Sequence, residues 1–96
     1  MSIVRINEFK TSPEKSESLK NFLRGVIEEI KDAPGCLECK LLIGYDDGSR
    51  IVIVETWESV AAHQAAAKII PPERLVEAMS MFTTPPRGAY YRSALP

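Results

Sequence analysis

Residues 51–54 read Ile51-Val52-Ile53-Val54, four β-branched residues in succession, shortly after the polar turn Asp46-Asp47-Gly48-Ser49. β-Branching stiffens the side chain and favours the pleated backbone over a helix. The Asp-Gly step permits positive φ and closes a hairpin, so Cys36–Tyr45 and Arg50–Trp57 are expected to pair as antiparallel strands. Successive strand residues point to opposite faces. A sheet with one wet face alternates apolar and polar residues, whereas this strand is apolar on both faces and belongs at the centre of a sheet.

The rest of the chain supplies the partners. Ile3, Val4, Ile6 and Phe9 are interleaved with polar residues and mark a first strand over Ile3–Lys10. Ser12-Pro13-Glu14 is a helix start: serine to cap, proline in the first turn, and an acid at the positive end of the dipole. Leu19, Phe22, Leu23, Val26, Ile27 and Ile30 then form one stripe at helical period, ending by Asp32-Ala33-Pro34-Gly35. After Trp57, Ser59 can cap an alanine-rich helix reaching about Lys68. Pro71-Pro72 breaks it, and a second helical piece carries Leu75, Val76, Met79 and Phe82 until Pro85-Pro86. Gly88–Arg92, with Tyr90 and Tyr91, reads as a last short strand.

The order β-α-β-β-α-β predicts an α+β fold, a ferredoxin-like plait with helices on one face of a four-stranded antiparallel sheet. The helices cover only one face of the aliphatic strand. The same face of a second copy, related by a two-fold axis, is the simplest cover for the other, which predicts a homodimer. At 96 residues the chain is expected to be a single domain over residues 1–96.

Charge and hydropathy exclude other classes. Twelve Lys and Arg against thirteen Asp and Glu leave a net charge of −1, without the basic excess that phosphate recognition needs. RNA-binding plaits of the same connectivity stack bases on aromatics of their central strands, where this chain has aliphatics, so no nucleic-acid partner is expected. No apolar run approaches the roughly eighteen residues of a membrane span, and no export signal is visible, so a cytoplasmic protein with no membrane partner is expected. Cys36 and Cys39 form a C-x-x-C, but with one histidine in the chain they fall short of the usual four zinc ligands. In a regular strand residues three apart face opposite ways, so the two thiols are expected to be structural and not to meet.

Val54-Glu55-Thr56-Trp57-Glu58-Ser59, with Pro34-Gly35-Cys36 opening the second strand, resembles the antibiotic biosynthesis monooxygenase domain, a family of small dimeric α/β barrels. The closing Tyr90-Tyr91-Arg92 is similar to the C-terminal ends of members that act on quinols or on a quorum-sensing signal. The resemblance implies oxidation of an aromatic or quinol-like small molecule by O2 without flavin, metal or other cofactor. A substrate that ionises to a stable phenolate can itself give an electron to oxygen. The protein then supplies an apolar pocket, a proton acceptor and donors for the developing oxyanion.

The resemblance implies Asn7, Trp57 and His63 as catalytic residues and Phe9, Met79 and Tyr90 as substrate-binding ones. Asn7 shares a face with Ile3, Arg5 and Phe9, where its amide either orients a ligand oxygen or bonds solvent at an edge. Trp57 either floors an aromatic site while donating its N–H or is plain core at a strand–helix junction. Many members carry a histidine nine positions after the tryptophan, where this chain has Ala66. His63 stands about one turn earlier, and either reaches the same space or is a solvated helix residue. Met79 and Met81 offer an adaptable apolar wall or ordinary core. Tyr90 and Tyr91 face opposite ways, one toward the pocket or the dimer seam. Haem degradation is excluded, because this chain lacks the family's second-helix tryptophan and histidine. A non-enzymatic ligand-binding or stress-associated dimer, and an isomerase of a small carbonyl signal, are the alternative functions.

Overall fold

Strand β3 (Arg50–Trp57) is the structural centre of the molecule: it pairs antiparallel with β1 (Ile3–Lys10) on one side and β2 (Cys36–Ile43) on the other. The computed structural model describes residues 2–95. Helix α1 (Ser16–Ile30) links β1 to β2, and helices α2 (Val60–Ala67) and α3 (Pro72–Met79) link β3 to β4 (Thr84–Tyr91). The sheet has four antiparallel strands in the order β2-β3-β1-β4, the ferredoxin-like arrangement of an α+β fold.

Burial along β3 alternates strictly. Ile51, Ile53, Glu55 and Trp57 are buried beneath the helices, while Val52, Val54 and Thr56 on the other face are half-buried. From α1, the buried residues Leu19 and Leu23 pack with Ile51 and Ile53, and Val26 and Ile30 pack with Trp57. Each such aliphatic side chain contributes roughly 1.5–3 kcal/mol on burial. The opposite face, carrying Val4, Ile6, Val52 and Val54, has no helix over it, and at its margins Leu42 and Tyr91 are about half exposed, at 49% and 50%. The aliphatic strand is thus central, as expected, and among the described residues helices cover only one of its faces.

Several local expectations are corrected. Ser12 does not cap a helix. Its neighbour Thr11 is tied through its backbone N–H to Ser49 O (2.9 Å), leaving Ser12 extended. The chain therefore enters α1 through a 3-10 turn, Pro13–Lys15, and Ser12 Oγ is buried with no partner among the described residues. Ser59 does cap α2, its Oγ accepting from Ala62 N at 3.1 Å. The hairpin does not use a positive φ at Gly48; Gly35, at +86°, is the one glycine with that conformation among the described residues. Asp47 Oδ1 instead accepts from Ser49 N at 3.0 Å, an Asx turn, and β2 stops at Ile43 rather than Tyr45.

The last strand begins at Thr84, four residues before its expected start, and takes in Pro85 and Pro86. An edge strand tolerates proline, and here the prolines sit where the β1–β4 register shifts between Glu8 and Lys10. Helix α3 correspondingly ends at Met79, before Phe82. The two cysteines do meet: a bulge between Cys36 and Glu38 turns both toward the same face, with Sγ atoms 3.6 Å apart.

The packing sets an expected ranking. Leu19→Ala should cost about 2–5 kcal/mol and Trp57→Ala about 3–5 kcal/mol, read from denaturant midpoints; an unchanged midpoint in either would contradict the core described.

Candidate functional site

Strand alternation puts a carboxylate where the core would otherwise be apolar. Glu55 shares the parity of Ile51, Ile53 and Trp57 and is only 3% exposed. A buried carboxyl needs hydrogen-bond partners. Trp57 Nε1 donates to its Oε1 at 2.8 Å, and Asn7 Nδ2, reaching across from β1, donates to its Oε2 at 3.2 Å. Asn7 is itself held by Arg5, whose Nε donates to Asn7 Oδ1 at 3.1 Å. Gly88 of β4 lies opposite Asn7, and a Cβ there would meet Asn7 Oδ1 and Arg5 Cζ, each at 2.6 Å. The absent side chain gives Arg5 and Asn7 their space.

His63 approaches the same carboxyl from α2. Its Nε2 lies 3.8 Å from Glu55 Oε1, and its Nδ1 shares a 2.7 Å hydrogen bond with the Tyr90 hydroxyl. The ring packs edge-on against Trp57 at 5.5 Å and against Tyr90 at 5.3 Å. The Arg5 guanidinium sits 4.7 Å over the Tyr90 ring, completing a chain of contacts through β1, β3, α2 and β4.

These groups border a cavity of about 480 Å³ between the sheet and the helices, a size suited to a small organic ligand. Asn7, Glu55, Trp57 and His63 bring its polar atoms, and Phe9, Phe22, Ile70, Val76, Met79 and Phe82 are among its apolar walls. Val76 and Met79 are exposed on α3 by 66% and 65%, so that helix forms the rim of the opening. Ala66 also lines the cavity. His63, one turn earlier on α2, lines it as well.

The structure therefore brings Asn7, Trp57, His63, Phe9 and Met79 to one cavity. Tyr90 stands behind His63 and does not line the wall, and Met81 packs in the core around Leu19 and Ile51. Of the two readings of Trp57, floor of an aromatic site donating its N–H or plain core, the structure shows the N–H committed to Glu55. Glu55 is the residue that reading the sequence missed. Its signal was parity: position 55 lies two from Ile53 and two from Trp57.

Burial pushes the Glu55 carboxyl above its ordinary value of 4.5, against the opposing pull of the Trp57 hydrogen bond, the Arg5 charge and the Asn7 hydrogen bond. Burial, with help from the Arg5 charge, holds His63 below its ordinary 6.5, favouring the neutral imidazole. Among the described residues no cluster of three or more His, Cys, Asp or Glu side chains could hold a metal ion, and no helix is long and apolar enough to cross a membrane.

The model of the antibiotic biosynthesis monooxygenase family matches residues 2–68. The chain belongs to that family. The match takes in β1 to α2, and with them Asn7, Glu55, Trp57 and His63. No curated protein matches the sequence. A Nitrosomonas europaea protein named as an antibiotic biosynthesis monooxygenase superposes with a TM-score of 0.85 at 21% identity, covering 99% of this chain and 92% of that one. A conserved protein of Methanosarcina mazei gives 0.85 at 16%, covering 96% and 92%. A variant of SnoaB, a cofactor-independent oxygenase from Streptomyces nogalater, gives 0.80 at 15%, covering 99% and 95%. At such identities the likeness establishes the fold.

The raised Glu55 carboxyl carries a stability prediction. The folded state binds this proton more tightly than the unfolded chain, so its contribution is complete below about pH 4.5 and is lost as pH rises through the folded value. His63 runs the other way: its contribution is complete above 6.5 and is lost as pH falls toward its lowered folded value. The unfolding free energy of the wild type minus that of Glu55→Gln should therefore decline as pH rises above 4.5. Urea titrations at stepped pH would measure it, and a flat difference would show an unperturbed carboxyl.

Proposed function

We propose that this protein is a cofactor-independent monooxygenase acting on a phenolic or quinol-like aromatic held in the cavity, with Glu55 as the proton acceptor. The observation that carries this reading is one buried carboxyl facing an otherwise largely apolar cavity of about 480 Å³. A neutral planar phenol fits such a space, and its hydroxyl is the group that would donate to Glu55. Proton transfer to the carboxylate leaves a phenolate, and the dry walls raise its tendency to give up an electron.

The chemistry then balances without another reductant. The phenolate passes one electron to O2, and the two radicals combine into a carbon–oxygen bond bearing a peroxide. Glu55 returns its proton to the distal oxygen. The O–O bond breaks as the ring carbon loses its hydrogen, leaving a carbonyl and water, so one O2 yields one quinone oxygen and one H2O. Asn7 and Trp57 are positioning residues in this scheme, since their N–H groups hold the carboxylate. His63 and Tyr90 form a path for protons between Glu55 and the surface, requiring only that the 3.8 Å gap between Nε2 and Oε1 close by less than about 1 Å.

Oxygen uptake by the purified protein over hydroquinones and hydroxylated polycyclic aromatics, with no cofactor added, tests this reading. Uptake should exceed the autoxidation blank and rise with pH as Glu55 ionises. Glu55→Gln should lower kcat by about 10²–10⁴-fold, and His63→Ala less. A flat trace with saturable ligand binding would make this a binding protein. Conversion of a carbonyl compound without oxygen uptake would make it an isomerase.

The uncovered sheet face supports a homodimer, because its aliphatic residues lie where the fold has no second layer. Val54→Lys, on that face, should convert a dimer to a monomer in analytical ultracentrifugation while leaving the helical face intact. A monomeric wild-type protein would remove the dimer outright.

A further inference from the structure

The C-x-x-C motif takes no part in the cavity. The bulge in β2 pairs Cys36 with Trp57 and Cys39 with Glu55, and both thiols turn toward the helices with Sγ atoms 3.6 Å apart. Leu37 is displaced outward and is 55% exposed. An interrupted ladder and an apolar side chain in solvent are both unfavourable, and what the bulge achieves is the thiol–thiol contact. The segment is anchored on both sides. Cys36 N donates to Ala33 O at 3.0 Å, and Gly35 O accepts from Glu58 N at 2.8 Å. Both cysteines are free and partly buried, packed against the cluster that contains Trp57, Val26 and Ile30.

We propose that Cys36 and Cys39 form a redox-active dithiol that closes to an intrachain disulfide on reaction with a hydroperoxide. Closure brings the sulfurs, already in contact at 3.6 Å, to about 2 Å. Burial, the neighbouring Cys36 sulfur and the charges of Glu55 and Glu38 push the Cys39 thiol up to about 12, so it stays protonated at neutral pH. Cys36, the first residue of β2 and next to the Gly35 turn, is taken as the attacking residue. Its thiolate takes an oxygen from the peroxide, the O–O bond breaks, and hydroxide leaves to be protonated to water. The Cys39 sulfur then displaces the hydroxyl of the Cys36 sulfenic acid. The S–S bond forms as the S–O bond breaks, and the Cys39 proton departs with the hydroxyl as a second water. Two thiols and one H2O2 give one disulfide and two H2O.

The position gives the reaction a reach beyond β2. The ladder partners of the two cysteines are Trp57 and Glu55, so the disulfide would form directly beside both residues. This inference stands apart from the proposed oxygenase activity.

The test is peroxide titration of the reduced full chain, quenched with N-ethylmaleimide and read as intact mass. The expected product is lighter by two hydrogens, carries no maleimide, is restored by dithiothreitol, and shows altered emission from the single tryptophan. Cys39→Ser should accumulate a sulfenic acid that dimedone traps at Cys36, and Cys36→Ser should react at least about tenfold more slowly. Two maleimide-reactive thiols after peroxide treatment, a chain-to-chain crosslink on a non-reducing gel, or sulfinic adducts without loss of two hydrogens would overturn the pairing. Rapid trapping at Cys39 in Cys36→Ser would overturn the assignment of the attacking residue.

Discussion

A carboxyl buried on the core face of the central strand governs the organisation around it. Glu55 sits where packing alone would place an aliphatic residue, and desolvation would make its charge costly without donors. Each nearby element answers that need. Trp57 donates from the same strand and Asn7 from the next, Arg5 holds Asn7, and Gly88 leaves the space both require. One buried acid thereby organises residues of β1, β3 and β4, and α2 brings His63 alongside.

The cavity exists because the helical layer is thin at one place. Helix α1 walls one side of the cavity with Phe22, Leu23, Val26 and Ile30, whereas α2 and α3 present the small residues Ala66, Ala67 and Ala78 to it. Small side chains leave volume unfilled, and the larger residues of α3 stand at its opening, half or more exposed. The imidazole comes from His63, one turn before Ala66, with its Nε2 3.8 Å from Glu55 Oε1. The proposed chemistry follows from that arrangement: an acceptor with a raised proton affinity, dry walls, and a path for protons through His63 and Tyr90.

Element order and type were largely legible in the sequence because they rest on local periodicity. The stripe from Leu19 to Ile30 and the aliphatic run of β3 each had one period that fitted. Errors fell where tertiary contacts override local preference. Ser12 looked like a cap, but Thr11 is held by Ser49, and the helix starts later. Pro85 and Pro86 looked like an end, but an edge strand beside a register shift accommodates them. The thiols looked separated because regular alternation was assumed, and a bulge is invisible to alternation.

Sequence alone determined the plait, the central placement of β3, the face shared by Asn7 and Phe9, and the net charge of −1, since each depends on composition or on spacing along the chain. Tertiary structure alone decided that Glu55 receives both Trp57 and Asn7, that His63 enters the space beside Ala66, and that Cys36 touches Cys39. Those outcomes depend on register between strands distant in sequence and on volume left by small residues. Neither quantity is carried by any single segment of the chain.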